Sequence, residues 1–258
     1  MADPGFYNAV SGMLVYKNQI EAATANISNE DTPGYKCATQ TIESMPEHAE
    51  FRIDGPGSER VGKGSYGIYS GRTVTDFSQG ELWPSDGPLD FAVNDGSGKN
   101  FFRVFDEDEI ILTRDGKFRL DNEGYLVLSS NGNQVMGADG APIQLESDQV
   151  ALGEDGTLVD KDGQVVGEIG IWSVEKVEEL ERTDFCCFIA EEAELVQLPS
   201  NDVKLCQRML ESSNGDNTEN IMSVAGNILS LDLCRGVMGS RKDLAEEING
   251  KLSGSHSG

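Results

Sequence analysis

The residues of this 258-residue chain whose side chains could do chemistry are five cysteines, two histidines and a large excess of carboxylates. Cys37, Cys186, Cys187, Cys206 and Cys234 include no Cys-x-x-Cys pair, and the histidines are His48 and His256, so a zinc site would need scattered ligands. The adjacent Cys186-Cys187 resembles a redox pair, but Phe185 and Phe188 flank it, and the expected setting is a buried strand where cysteine acts as a small hydrophobe. An odd number of thiols argues against a complete disulfide framework. Among the carboxylates, Asp106-Glu107-Asp108-Glu109 lacks the alternating ligands, central glycine and closing Glu of a calcium loop. The segment Asn214 to Thr218 has Ala225 where the bidentate Glu would belong, and Thr218 with Glu219 fits ordinary helix capping instead. Two carboxylates about 5–10 Å apart could cleave a glycosidic bond. With 45 acidic residues such a pair arises by chance, and no G-x-S-x-G, H-E-x-x-H or phosphate-binding loop occurs. No catalytic residue, cofactor or metal is expected, and the chain reads as a non-enzyme.

The same carboxylates bound the partners. Forty-five acidic against 20 basic residues give a formal charge of −25, which repels nucleic acid and anionic membranes alike. An apolar content of 38% with 25% charged residues is that of a folded protein. No uninterrupted apolar run approaches the roughly 18 residues of a membrane span, so no membrane insertion is expected. The N-terminus lacks a basic n-region followed by an apolar h-region, so any export is expected to use a route other than a cleaved secretory signal.

The elements that must position these residues fall into two kinds. Residues 5–29 and 219–252 have the pattern of amphipathic helices. Steps of three and four from Phe6 meet Ala9, Met13, Tyr16, Ile20, Ala23 and Ile27, the heptad seam of a coiled coil. From Ile221 the same steps meet Val224, Ile228 and Leu231, then Cys234 and Met238. Glycines at 226, 236 and 239 each cost a helix about 0.5–1 kcal/mol, so the second helix is expected to need neighbours. Between the helices, Asp-Gly at 54, 86, 95, 115, 139, 155 and 162 and Asn-Gly at 131 separate short strands such as Phe101–Phe105, Glu109–Thr113 and residues 167–174.

The expected fold is therefore α+β, with long N- and C-terminal coiled-coil helices paired beneath a central all-β domain, antiparallel and sandwich- or barrel-like. Its divisions are 1–36 (helix and bend), 37–75 (extended arm or linker), 76–205 (β domain) and 206–258 (C-terminal helix with a flexible tail). Two terminal helices with no helical partner in the middle must pair with each other or with other copies. An assembly subunit and a self-contained β-rich binding or adhesin module both satisfy this pattern.

At this point the residues resemble a family. Asn26-Ile27-Ser28-Asn29 followed by Thr32-Pro33-Gly34-Tyr35-Lys36 is similar to the signature closing the N-terminal helix of bacterial flagellar rod and hook proteins. Asn29 can terminate the helix, and Pro33-Gly34 turns the chain away from its axis. The resemblance continues through Ser78-Gln79-Gly80-Glu81-Leu82, Pro88-Leu89-Asp90-Phe91-Ala92-Val93, Phe101-Phe102-Arg103-Val104, Thr113-Arg114-Asp115-Gly116-Lys117-Phe118 and Leu210-Glu211-Ser212-Ser213-Asn214. It departs at Gly215, where the family has Val, and at Leu229-Ser230-Leu231-Asp232, where it has an Arg and an aromatic residue. The charged pair Glu30-Asp31 and the number of cysteines are also unusual for it.

The resemblance implies a structural subunit of the basal-body rod, of proximal or distal type. It implies delivery by the flagellar type III export apparatus and assembly in the periplasm with copies of itself and other rod and hook proteins. The helices would form the inner tube and the β domain its outer wall.

Overall fold

Period-two alternation in the middle of the chain becomes a sheet with both faces covered. The structure, a computed structural model, describes residues 4–254 except 55–56, 66, 107–108, 154–155, 184–185, 191–194 and 200–203. Phe185, the centre of the acidic run 106–109, parts of the Asp-Gly turns at 54 and 155, and the tail after Gly254 lie outside the described residues. The chain divides into two compact units: residues 1–27, 38–74 and 217–258, and residues 28–37 and 75–216.

The second unit holds the β domain. Strands Asn100–Asp106 and Glu109–Thr113 pair antiparallel with Phe102 opposite Thr113 and Phe105 opposite Ile110. They lie within a nine-stranded sheet whose path runs from Glu181–Arg182 through Cys187–Ile189, these two strands, Gln134–Val135 and Leu126–Leu128 to Phe118–Leu120. Ile171–Val174 also pairs with Asn100–Asp106 and with Leu195–Leu198. Successive residues face opposite ways. Phe102, Val104, Ile111 and Ile171 enter one apolar cluster with Phe91, Phe118, Leu126 and Leu158. Phe101, Leu112, Trp172 and Phe188 enter another with Phe77 and Met136. Burial at about 25 cal/mol per Å² of apolar surface makes these clusters the main support of the unit. Gly96, Gly132, Gly140, Gly156 and Gly163 of the expected turns have positive φ, whereas Gly87 and Gly116 do not.

Several boundaries differ from expectation. The segment 167–174 splits into Val165–Glu168, in a separate three-stranded sheet, and Ile171–Val174. Residues 206–211, expected to open the C-terminal helical segment, belong instead to two strands separated by Arg208 at φ +58°. Lys204–Gln207 pairs antiparallel with Phe91–Asn94 and Met209–Glu211 with Leu82–Pro84, each pair forming a separate two-stranded sheet. Cys186 and Cys187 are buried as expected, but only Cys187 lies in a strand; Cys186 has φ +62°. Burial first, then nearby acidic groups, pushes both thiols up to about 12, which leaves them un-ionised at neutral pH. All five cysteines are free thiols.

The first unit contains two helices, α1 (Pro4–Ser28) and α2 (Asn217–Gly254), and a β ribbon. Most of the described residues between 38 and 75, where an extended arm or linker was expected, form paired strands. Ala38–Ser44 pairs with Ile68–Thr75, and His48–Asp54 pairs antiparallel with Gly57–Gly64. The Ser11 side chain accepts a bond from the Ile68 amide at 3.3 Å, and Asn18 donates to Ser70 at 2.9 Å, so the ribbon is fastened to α1.

α1 and α2 meet antiparallel. Gly5 lies against the Arg241 guanidinium, a Cβ on Gly12 would stand 3.2 Å from Cys234 Sγ, and Asn26 Nδ2 donates to Asn220 Oδ1 at 3.2 Å. Seven residues forward in one helix match seven backward in the other. Within residues 217–247 of α2 an 18-residue window has a mean hydropathy of 1.3, so by length and composition alone this helix is apolar enough to cross a membrane. Ser, Asn and Gly interrupt its apolar runs, and Asp232 and Arg235 add two charges of opposite sign, so no uninterrupted run reaches the length of a membrane span.

Candidate functional site

The helix-to-sheet bend is built from short-range hydrogen bonds and then locked by buried charge. Asn26, near the end of α1, donates to the Ala38 carbonyl at 3.0 Å and accepts from its amide at 3.1 Å. In the second unit the Thr32 amide donates to the Asn29 carbonyl at 3.2 Å, its hydroxyl to Asn29 Oδ1 at 3.1 Å, and the Tyr35 amide to the Thr32 carbonyl at 3.3 Å. Pro33 restricts φ, and Gly34 follows at φ +67°. An added Cβ there would meet the Arg114 carbonyl carbon and the Asp115 amide nitrogen at 2.3 and 2.4 Å, so only hydrogen fits.

Two stretches remote in sequence run side by side at the bend. The Gly34 amide donates to the Glu211 carbonyl at 2.8 Å, and the Cys37 amide to Asn214 Oδ1 at 2.8 Å. Asn214 Nδ2 in turn donates to the Asp76 and Ser78 carbonyls at 2.8 and 3.1 Å. The segments 34–37 and 211–214 are thus tied together within the second unit.

Beneath this clamp lie four buried charges. Lys36 Nζ donates to Glu211 Oε1 at 2.5 Å and to the Ser78 carbonyl at 2.7 Å. Arg114 donates to Glu211 Oε2 at 3.2 Å and to both Asp95 carboxylate oxygens at 3.0 Å. The Gly80 amide adds a bond to Glu211 Oε1 at 2.9 Å. The side chains of Lys36, Arg114 and Glu211 are completely enclosed, and that of Asp95 nearly so. Two cations and two anions leave the cluster formally neutral, the condition under which charge is tolerated away from water. Burial moves the Lys36 ammonium below its ordinary pKa despite the opposing pull of Glu211. For Asp95, burial acts upward, but the Arg114 charge and several hydrogen bonds outweigh it and hold the carboxyl below its usual range.

Arg182 closes the other side of the bend. Its guanidinium lies 4.9 Å from the Tyr35 ring centre and 5.5 Å from that of Phe188, and it donates to the Lys36 carbonyl. Burial raises the Tyr35 hydroxyl against the lowering effect of Arg182.

Asp115 stands next to the Arg114 peptide that receives Gly34. Burial raises its carboxyl from 3.8 to about 6, against bonding from the Lys117 amide and the Lys117 charge. A pKa raised on folding contributes stability that is complete below about 3.8 and lost as pH rises through about 6. The shift corresponds to a contribution on the order of 3 kcal/mol. Urea midpoints of the wild type should therefore fall between pH 4.5 and 7 relative to those of Asp115→Asn. Parallel curves for the two proteins over that range would contradict this role.

The bend residues Asn29, Thr32, Pro33, Gly34, Tyr35 and Lys36 come together in one unit, while Asn26 sits in the other, bonded to Ala38 and Asn220. The helix residues are distributed differently. Ala9 and Ala23 are buried, Met13, Tyr16, Ile20 and Ile27 are half-buried, and Phe6 is exposed. On α2, Val224 and Leu231 are half-buried, whereas Ile221 is 56% and Ile228 46% exposed. The half-buried line follows Asn220, Val224, Asn227, Leu231, Cys234 and Met238, about 100° from the exposed isoleucines. The sequence showed Arg114, Glu211 and Asn214 within motifs but not their part in the bend, showed Asp95 only as half of an Asp-Gly turn, and did not single out Arg182. The signal available was that each lies in or near a motif with no other evident purpose.

Comparison with known proteins agrees with this geometry. Residues 6–36 match the family described as flagella basal body rod protein, and residues 97–180 match the flagellar hook protein FlgE/F/G D1 domain. The chain is 28% identical to the flagellar basal-body rod protein FlgF of Mesorhizobium japonicum over 81% of its own length and 80% of the relative's. It is 32% identical to the rod protein FlgG of Bacillus subtilis, over 64% of this chain and 65% of that one. The flagellar hook-basal body complex protein FlhO of Bacillus subtilis is 27% identical over 69% of this chain and 70% of its own length. With a helix that matches the rod-protein family, a β domain that matches the hook-type D1 domain and the bend motif between them, the chain is similar to bacterial flagellar rod and hook proteins.

Proposed function

We propose that this chain is a non-enzymatic structural subunit of the flagellar basal-body rod, polymerising through its terminal helices to transmit torque. The observation that supports it most is the outer side of α2. Ile221, Met222, Ile228, Leu229, Leu233 and Val237 are all exposed, on the side of the helix away from the half-buried line that faces α1. Full burial of each such side chain stabilises by about 1.5–3 kcal/mol. Gly226, Gly236 and Gly239 have open space where a Cβ would be, so they weaken α2 and gain no packing within a single chain. A partner helix would use both features.

In this reading the helix pair extends into coiled-coil contacts with copies and with other rod and hook proteins. The subunit reaches the periplasmic rod by flagellar type III export without signal-peptide cleavage. The Pro88-Leu89-Asp90 block and the short ribbon favour the proximal over the distal type. A self-contained adhesin-like module is the second reading, and the uncovered apolar side of α2 disfavours it.

Amide exchange on the dilute protein tests this. Rapid exchange is expected in 1–30 and 219–258, with strong protection in 100–175. Leu229→Lys, at a position 66% exposed, is expected to abolish association at high concentration without lowering the melting temperature. Equal protection of helices and sheet, together with a monodisperse monomer in micrographs at high concentration, would overturn the subunit reading.

A further inference from the structure

We infer that the chain's charge is partitioned so that its β unit repels other copies while its helical unit is left free to associate; this rests on the subunit reading above. Residues 28–37 and 75–216 carry 33 acidic and 11 basic residues, a formal charge of −22. Residues 1–27, 38–74 and 217–258 carry 12 acidic and 9 basic residues, a formal charge of −3. Almost the whole −25 of the chain therefore sits on one unit.

Exposed apolar side chains are divided in the opposite sense. Among the described residues, 14 of the 18 exposed large hydrophobic residues lie in the near-neutral unit, although it is the smaller one. They include Leu14 on α1, Ile42 and Tyr69 on the ribbon, and Leu229 and Leu233 on α2. The ribbon thus shares the composition of the helices and belongs to the same associating surface.

Coulomb repulsion scales with the product of the charges, so two β units repel roughly fifty times more strongly than two helical units at equal separation and screening. The repulsion reaches about 10 Å at 0.1 M salt and shortens as salt rises. An approach of two copies through their β units is opposed, and an approach through helices or ribbon is not. The acidic unit thereby selects which faces meet and sets the salt concentration at which they do.

The test compares association against sodium chloride concentration for three proteins, by sedimentation and electron microscopy. One variant replaces the exposed carboxylates Glu109, Glu123, Glu146, Asp148, Glu175 and Glu178 of the β unit by their amides. This reduces the product of charges between β units to about half. The other variant, Glu47→Gln/Asp232→Asn/Asp243→Asn, brings the helical unit to formal neutrality. The first is expected to reach half-association at roughly half the wild-type salt concentration and to form irregular aggregates beside ordered ones. The second is expected to shift the midpoint much less. A midpoint unmoved by the first variant, or moved equally by the second, overturns the partition while leaving the subunit reading intact. Absence of association by all three proteins up to 1 M salt overturns both.

Discussion

Glu211→Ala is expected to destabilise the β unit by about 3–5 kcal/mol, because it leaves the enclosed Lys36 without a carboxylate and takes one of two from Arg114. Lys36 Nζ loses its carboxylate partner at 2.5 Å and Arg114 loses one at 3.2 Å, although Asp95 continues to hold Arg114. Water reaches neither side chain, so the released charge is not screened. In a unit of this size the loss corresponds to a fall in melting temperature on the order of 10 °C. Lys36→Met together with Glu211→Gln removes the stranded ammonium and is expected to lose less than the two single changes combined, by about 0.5–3 kcal/mol. Additive losses, or a single-variant loss below about 1 kcal/mol, would show that the cluster is not a coupled network.

Gly34→Ala carries the second large effect. Left-handed φ by itself costs a side-chain-bearing residue about 1–2 kcal/mol. At Gly34 the new methyl must also displace backbone, since Arg114 and Asp115 main-chain atoms lie 2.3–2.5 Å from its position. Gly140 provides the control: its φ is +76°, but no atom lies within 4 Å of an added Cβ. Gly140→Ala should show the conformational cost alone, and Gly34→Ala should exceed it by about 2 kcal/mol or more, in the range seen for core overpacking. Amide exchange at residues 211–214 should rise with Gly34→Ala, because the Gly34 bond to the Glu211 carbonyl holds that stretch. Equal urea midpoints for the two variants would show that the bend yields without strain.

Both expectations concern a site that was only half legible in the sequence. The Thr32-Pro33-Gly34 bend could be read there because proline and glycine act through their own backbone. The role of Lys36 could not, because its carboxylate partner lies 175 residues away. Among 45 acidic residues, nothing local distinguishes Glu211 from a solvated carboxylate. The strand positions of 206–211 were hidden for a related reason: their sheet partners are residues 82–84 and 91–94, and a short segment shows which elements it can form but not which neighbour it will find.

By itself the sequence determined the two terminal helices, the short strands such as Phe101–Phe105, most of the turns at Asp-Gly and Asn-Gly, and the motifs similar to those of flagellar rod and hook proteins. These follow from backbone preference and side-chain period, which act over a few residues. Only the tertiary structure decided which side of α2 turns toward α1, that the chain between 38 and 75 closes into a ribbon, and that Lys36, Glu211, Arg114 and Asp95 neutralise one another out of reach of water. Those outcomes depend on desolvation and on partners brought from distant parts of the chain, quantities that exist only once the fold has formed.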